Sequence, residues 1–243
     1  MNMKLLALII LFSILASNAY SVSGLNLELG SAQNSYNQVR IDGEDGTLFN
    51  LRPALNSEKY YRLSFTQKFK SPNGVRILYA PLKFSGNKKF ENDISFSGVN
   101  FPANQITETQ YQFNSYRGTY FREIISTKSK LLRVGGTLKV RDAFIELRQS
   151  DRSKARKSVG IVPLVYIYSK YKFDNNFLMT FDFDGLIAPQ GRAFDVALML
   201  GYYFNTTFQI DVGYRMLEGG ADNKNVYNFS QINYYFTALQ MNF

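Results

Sequence analysis

Hydrophobic and polar residues alternate along most of this chain. In "KYYRLSFTQKF" (59–69), Tyr61, Leu63, Phe65 and Phe69 fall on one face and Arg62, Ser64 and Lys68 on the other. The same period of two runs through "GLNLELGS", "VRILYAPL", "QYQFNSYRGTYF", "LLRVGGTLKVRDAFIEL", "GIVPLVYIYSKYKF", "FLMTFDFDGLI", "FDVALMLGYYF", "FQIDVGYRM" and the terminal "INYYFTALQMNF". Successive strand side chains point to opposite faces, so this pattern predicts ten β-strands. Eight is the alternative, if one hairpin stands outside the ring. Near Asp142–Ala143 the alternation slips phase, which predicts a bulge.

Connections after even-numbered strands are short or moderate, at 70–74, 122–130, 174–176 and 205–207. Those after odd-numbered strands include the long polar stretches 31–58, 84–107, 149–159 and 218–228, with only 188–193 short. "APQG" and "EGG" read as tight turns, with glycine supplying positive φ. Nothing along the chain marks a linker, a second domain or an internal repeat.

Alternation alone does not say which face is inside. Strands of about 10 residues match the length that crosses a bilayer at a tilt. The apolar faces are crowded with Phe and Tyr, and Tyr60–Tyr61, Tyr202–Tyr203 and Tyr234–Tyr235 stand near strand ends, where interfacial girdles form. The opposite faces carry charges of both signs, which can pair in a narrow lumen. The expected fold is a closed antiparallel up-and-down transmembrane β-barrel with its greasy side outward.

The ends of the sequence agree. "MNMKLLALIILFSILASNAYS" has a basic start, an apolar run from Leu5 to Leu15 and small residues at Ser17 and Ala19. That is the layout of a cleaved secretory signal peptide over 1–19, leaving 20–243 as the barrel domain. The run is too short for a spanning helix. At the other end Phe243 is preceded by Met241, Leu239 and, further back, Tyr235 on one face. A barrel has no free edge, so its last strand stays ordered to the end.

Composition then narrows the chemistry. Histidine and cysteine are both absent. The commonest general base at neutral pH and the usual transition-metal ligands are missing. No thiol nucleophile or disulfide framework is available. The charge is positive, 28 basic against 19 acidic residues, but the basic residues are spread over inward faces and loops rather than gathered into a nucleic-acid surface.

The terminal pattern ending on Phe243 resembles the C-terminal assembly signal of bacterial outer-membrane proteins, which implies the assembly machinery as a partner. The segments "FNSYRGTY" (113–120), "RDAFIELRQ" (141–149), "GIVPL" (160–164), "FDGLIAPQGRAFDVALMLGY" (183–202) and "GYRMLEGGADNKNVYNF" (213–229) resemble a family of uncharacterised Gram-negative outer-membrane barrel proteins. The resemblance implies a fold and an outer-membrane location. It brings no activity, so no catalytic residue is carried over.

Three constellations remain as candidate chemistry. Arg62, Arg76, Arg117, Arg133, Lys139, Arg141 and Arg215 share the inward face with Asp182, Asp184, Asp195 and Asp211. They predict either an ion-paired plug or the lining of a narrow path for ions or small solutes; a barrel of this size favours the plug. Asp182 and Asp184 could form an acid–base pair, but nearby arginines would hold both ionised. Barrel enzymes such as the omptin proteases and the lipid A deacylases and palmitoyltransferases use a histidine, which this chain lacks. The loop "RQSDRSKARK" and Arg192 could hold lipopolysaccharide phosphates, and "DGEDG" and "EGGADN" offer oxygen atoms without the spacing of a calcium loop. The reading is therefore a monomeric, non-enzymatic outer-membrane barrel without cofactor or metal, structural or surface-interacting in role. The alternatives are a narrow channel and a histidine-free surface enzyme.

Overall fold

The computed structural model describes residues 23–243 except Asn175. Its strands are β1 (Ser23–Ile41), β2 (Phe49–Asn50), β3 (Glu58–Lys68), β4 (Asn73–Ala80), β5 (Lys83–Lys89), β6 (Ile94–Phe96), β7 (Val99–Phe101), β8 (Ile106–Ser126), β9 (Lys130–Gln149), β10 (Arg152–Lys172), β11 (Phe177–Ala188), β12 (Gly191–Tyr203), β13 (Phe208–Asn223) and β14 (Val226–Asn242). Each main strand pairs antiparallel with its neighbours, and β14 returns to pair with β1. The β4 and β5 segments lie in line along β8, so the ring has ten staves. Closure reaches Phe243, whose backbone N–H donates to the Ser23 carbonyl at 2.9 Å while its carbonyl accepts from Ser23 at 2.7 Å. The expected signal peptide lies outside the described residues.

The staves are longer than the sequence pattern suggested. β8 and β10 each hold 21 residues, about twice what a bilayer crossing needs. Much of the stretch 31–58 continues β1 as far as Ile41, and 149–159 belongs to a β9–β10 hairpin that turns at Ser150–Asp151. "EGG" is no turn: Glu218, Gly219 and Gly220 lie within β13, and the chain turns at Lys224–Asn225.

The phase slip at Asp142–Ala143 has a different cause from the bulge it suggested. Pairing of β9 with β8 and β10 runs without a shift through both residues. The polarity of the faces inverts instead. Below this point Val134, Leu138 and Val140 face outward and Thr137 and Lys139 are buried inside; above it Ile145 and Leu147 are buried inside, and Arg148 is outward and exposed. β13 inverts likewise, with Val212 and Tyr214 outward below and Leu217 buried inside above. Register shifts do occur elsewhere, at Asn34/Tyr36 and Glu123/Ile125.

An apolar belt therefore girds the lower part of the barrel, while the upper part has the apolar core of a water-soluble barrel. Aromatic rings mark both belt margins. Tyr61, Tyr79 and Tyr116 adjoin one another along the upper margin, with centroid separations of 6.1 and 5.2 Å, and Tyr214 and Tyr235 meet at 5.5 Å. Phe173, Phe177, Tyr202 and Phe204 form the lower chain. Only one tyrosine of each doublet faces out, as alternation requires: Tyr60 and Tyr234 are buried inside and meet edge to face at 4.6 Å.

The upper core includes Val39, Leu51, Phe84, Tyr111, Leu147 and Ile232. The stretch 84–107, polar in overall composition, supplies its roof. β6 and β7 form a hairpin through Ser97 (φ 50°) and Gly98 (φ 77°), the paired positive angles of a tight two-residue turn. Phe96 and Phe101 are thereby buried in the core, and Phe96 lies 6.3 Å from Phe49. Each such burial contributes about 1.5–3 kcal/mol.

Candidate functional site: the charged lumen

The inward faces of the belt region converge on one layer of ion pairs. Arg62 on β3 reaches Asp195 on β12 at 3.1 Å. Arg76 on β4 bonds Asp182 at 2.9 Å and Asp184 at 3.0 Å, both on β11. Arg117 on β8 contacts Asp184 at 2.8 Å and Asp195 at 2.5 Å. Arg215 on β13 meets Asp195 at 2.5 Å, Glu28 at 3.1 Å and Asp182 at 3.5 Å. Thr137 adds a hydroxyl donor to Asp184 at 2.6 Å, and Tyr60 one to Glu28 at 2.6 Å. These contacts join strands on opposite sides of the ring, so they fill its cross-section.

Four arginines face four carboxylates in this layer, and all eight side chains are buried. Buried charges are costly unless paired, and each of these is ion-paired, with only Arg62 Nη2 and Arg76 Nε in the layer left without a hydrogen-bond partner among the described residues. Glu28 is a full member that the expected set lacked. The signal was available, since Glu28 sits opposite Leu25, Leu27 and Leu29, but the short β1 pattern was too brief to show that the strand crosses the whole belt.

Other expected residues face inward but stand apart. Arg133 pairs with Glu123 at 2.9 Å near the lower mouth, where Lys68 also reaches Glu123. Asp211 accepts from Gln209 at 2.6 Å. Lys139 and Arg141 lie above the layer and take part in no ion pair among the described residues. The Asp182 and Asp184 carboxylates are each taken up by arginines, so the constellation holds fixed charge rather than presenting a free acid and base.

Above the belt, Arg192 is bound to Glu218 through Nε at 3.0 Å and lies over Phe229 at 5.0 Å. The Tyr36 hydroxyl also donates to Glu218. Burial first, and then the neighbouring carboxylate, push Tyr36 up to about 12. Arg192, one of the residues that could hold lipopolysaccharide phosphates, is thus paired with a carboxylate. Among the described residues, no three Asp or Glu side chains gather as a metal site would require.

No protein-family model matches the chain, and no curated protein does. Solved structures do. The outer membrane protease OmpT from Escherichia coli is similar, with a TM-score of 0.61 at 11% identity over 93% of this chain and 99% of that one. Ail, the attachment invasion locus protein of Yersinia pestis, aligns with a TM-score of 0.42 at 10% identity over 91% of this chain and 99% of its own. Neisserial surface protein A aligns at 0.35 and 9% identity over 89% and 96%. The likeness to OmpT establishes the fold and nothing finer, and the weaker two carry no argument.

Proposed function

We propose that this protein is an integral bacterial outer-membrane barrel, closed to solutes, whose tall upper staves and loops form a structural and surface-interaction platform. The observation that carries this reading is the ion-paired layer, in which Arg62, Arg76, Arg117 and Arg215 span the lumen. The apolar belt with its two aromatic margins supports a bilayer setting. The terminal ladder around Phe243 supports delivery by the outer-membrane assembly machinery as a monomer, and the exposed Arg148, Arg156 and Lys157 suit contact with lipopolysaccharide phosphates. Lack of histidine weighs against an enzyme, for the usual general base is missing.

Single-channel recording of the refolded protein in a planar bilayer, beside the Asp182→Asn/Asp184→Asn variant, tests the plug. Silence from both, with folding shown by gel shift, is the expected result. Reproducible steps altered by the double variant would replace the plug with a narrow channel.

A further inference from the structure

The barrel wall is incomplete at one place. The ladder between β10 and β11 ends at Val165↔Gly185, although β10 runs on to Arg152 and β11 to Ala188. Over that stretch β10 keeps its pairing with β9 and β11 its pairing with β12, so Gly160–Leu164 and Leu186–Ala188 face each other with no ladder between them. Pro163 sits at the start of the free edge, where a residue without an N–H belongs. Outside, the gap is flanked by Ile161 and Ile187, 72% and 71% exposed, at the upper part of the apolar belt.

Behind the gap lies a cavity of about 380 Å³, near the lower end of the range for small-ligand sites. Its apolar wall includes Phe113, Val162, Leu186 and Leu217; its floor carries Lys139 and Arg141. Lys139 is only 3% exposed. Its ammonium makes no ion pair or hydrogen bond among the described residues and rests over the Phe113 ring at 4.8 Å. Arg141 donates one bond to Ser158 at 3.0 Å, and its Nε is buried with no partner. The layer below is balanced, so these are two surplus cations two residues apart on one face of β9. A buried cation without an anion is strongly unfavourable.

We propose that this cavity binds a single acyl chain carrying an anionic head group, entering sideways from the bilayer. The head pairs with Lys139 and Arg141, and the chain runs along the apolar wall and leaves between Pro163 and Leu186. Entry from lipid needs no aqueous pore, so the site coexists with a closed lumen. The inference rests on the bilayer setting proposed above.

The chain contains no tryptophan, so Phe113→Trp places a sole indole in the cavity. The full barrel is reconstituted in zwitterionic vesicles and titrated with brominated stearate, brominated lysophosphatidic acid or brominated stearate methyl ester. Expected is saturable quenching by an anionic form: the free carboxylate identifies a fatty acid, and lysophosphatidic acid alone identifies a single-chain phospholipid. Adding Lys139→Gln with Arg141→Gln weakens binding at least tenfold, and Val162→Phe, which fills the cavity and keeps both cations, abolishes saturation. Equal quenching by the neutral ester, or none of these changes in variants folded by gel shift, overturns the proposal. A separate Leu239→Trp barrel, quenched by brominated phosphatidylcholine, checks the bilayer setting; its failure would remove that reading instead.

Discussion

Arg62 and Asp195 meet at 3.1 Å although three strands, β1, β14 and β13, separate β3 from β12 around the nearer side of the ring. The bond is a strut across the lumen. Asp195 also receives Arg117 and Arg215, so Asp195→Asn leaves three guanidinium groups short of charge. The expected loss is about 3–5 kcal/mol of stability, the size found when one partner of a buried pair is removed. Asp211→Asn, which disturbs a single neutral partner, is expected to cost about 1 kcal/mol. Denaturant titration in detergent, read by gel shift, compares them; equal midpoints would refute the strut.

The inversion of polarity along β9 sets a second expectation. Leu138→Arg places charge on the belt and is expected to cost about 2–4 kcal/mol if the site lies near mid-bilayer. Leu147→Arg points the other way yet buries an unpaired charge in the upper core, so it is also expected to destabilise by several kcal/mol. Glu146→Arg, outward and above the belt, is expected to stay within about 0.5 kcal/mol of the parent. Stability measured after refolding into vesicles ranks the three.

Two adjacent glycines on β9 differ sharply. A Cβ on Gly135 would stand 2.0 Å from the Tyr120 carbonyl oxygen and 2.8 Å from Phe121 Cα, while one on Gly136 would meet nothing closer than 4.0 Å. Gly135→Ala is expected to cost about 1–3 kcal/mol by overpacking, and Gly136→Ala almost nothing. Unfolding midpoints of the two alanine variants decide it.

The roof carries a pH dependence. Asp93 accepts the Ala103 N–H at 2.8 Å and the Asn100 amide at 3.3 Å, and these bonds hold its carboxyl below the usual carboxylate range. Its stabilising contribution is present above the ordinary carboxylate pKa and is lost as pH falls through the lowered one. Protease nicking of the β6–β7 hairpin should rise in acid. Asp93→Asn should show raised nicking already at neutral pH; a flat profile in the parent would exclude this role.

Much of this architecture could be read from the chain, because inside-out alternation survives at single-residue resolution. The ten staves, the inward set from Arg62 to Arg215 and the outward Leu239 follow from a period of two. What stayed hidden lies above the belt. There the apolar residues change faces, so Ile145 and Leu147 looked like a broken phase, and β1 beyond Gly30 looked like a loop. Phe96 and Phe101 stood in a polar stretch with only two flanking positions each, too few to reveal a hairpin. The gap beside Pro163 could not be seen at all, since it depends on how far β11 climbs relative to β10.

The charged layer divides unevenly along the chain. Arg62, Arg76 and Arg117 come from strands ahead of β9, whereas Asp182, Asp184 and Asp195 come from strands after β10. Glu28 and Arg215 are the single exceptions in either half. Taken alone, then, the inner face of the early strands is mostly basic, and the late strands bring the acid. The two halves are electrostatic complements, so closure is favoured by attraction across a space that neither half can fill alone. Fragments split in the turn at 127–129 should form a gel-shifted barrel only when mixed, and excess salt during mixing should slow their union.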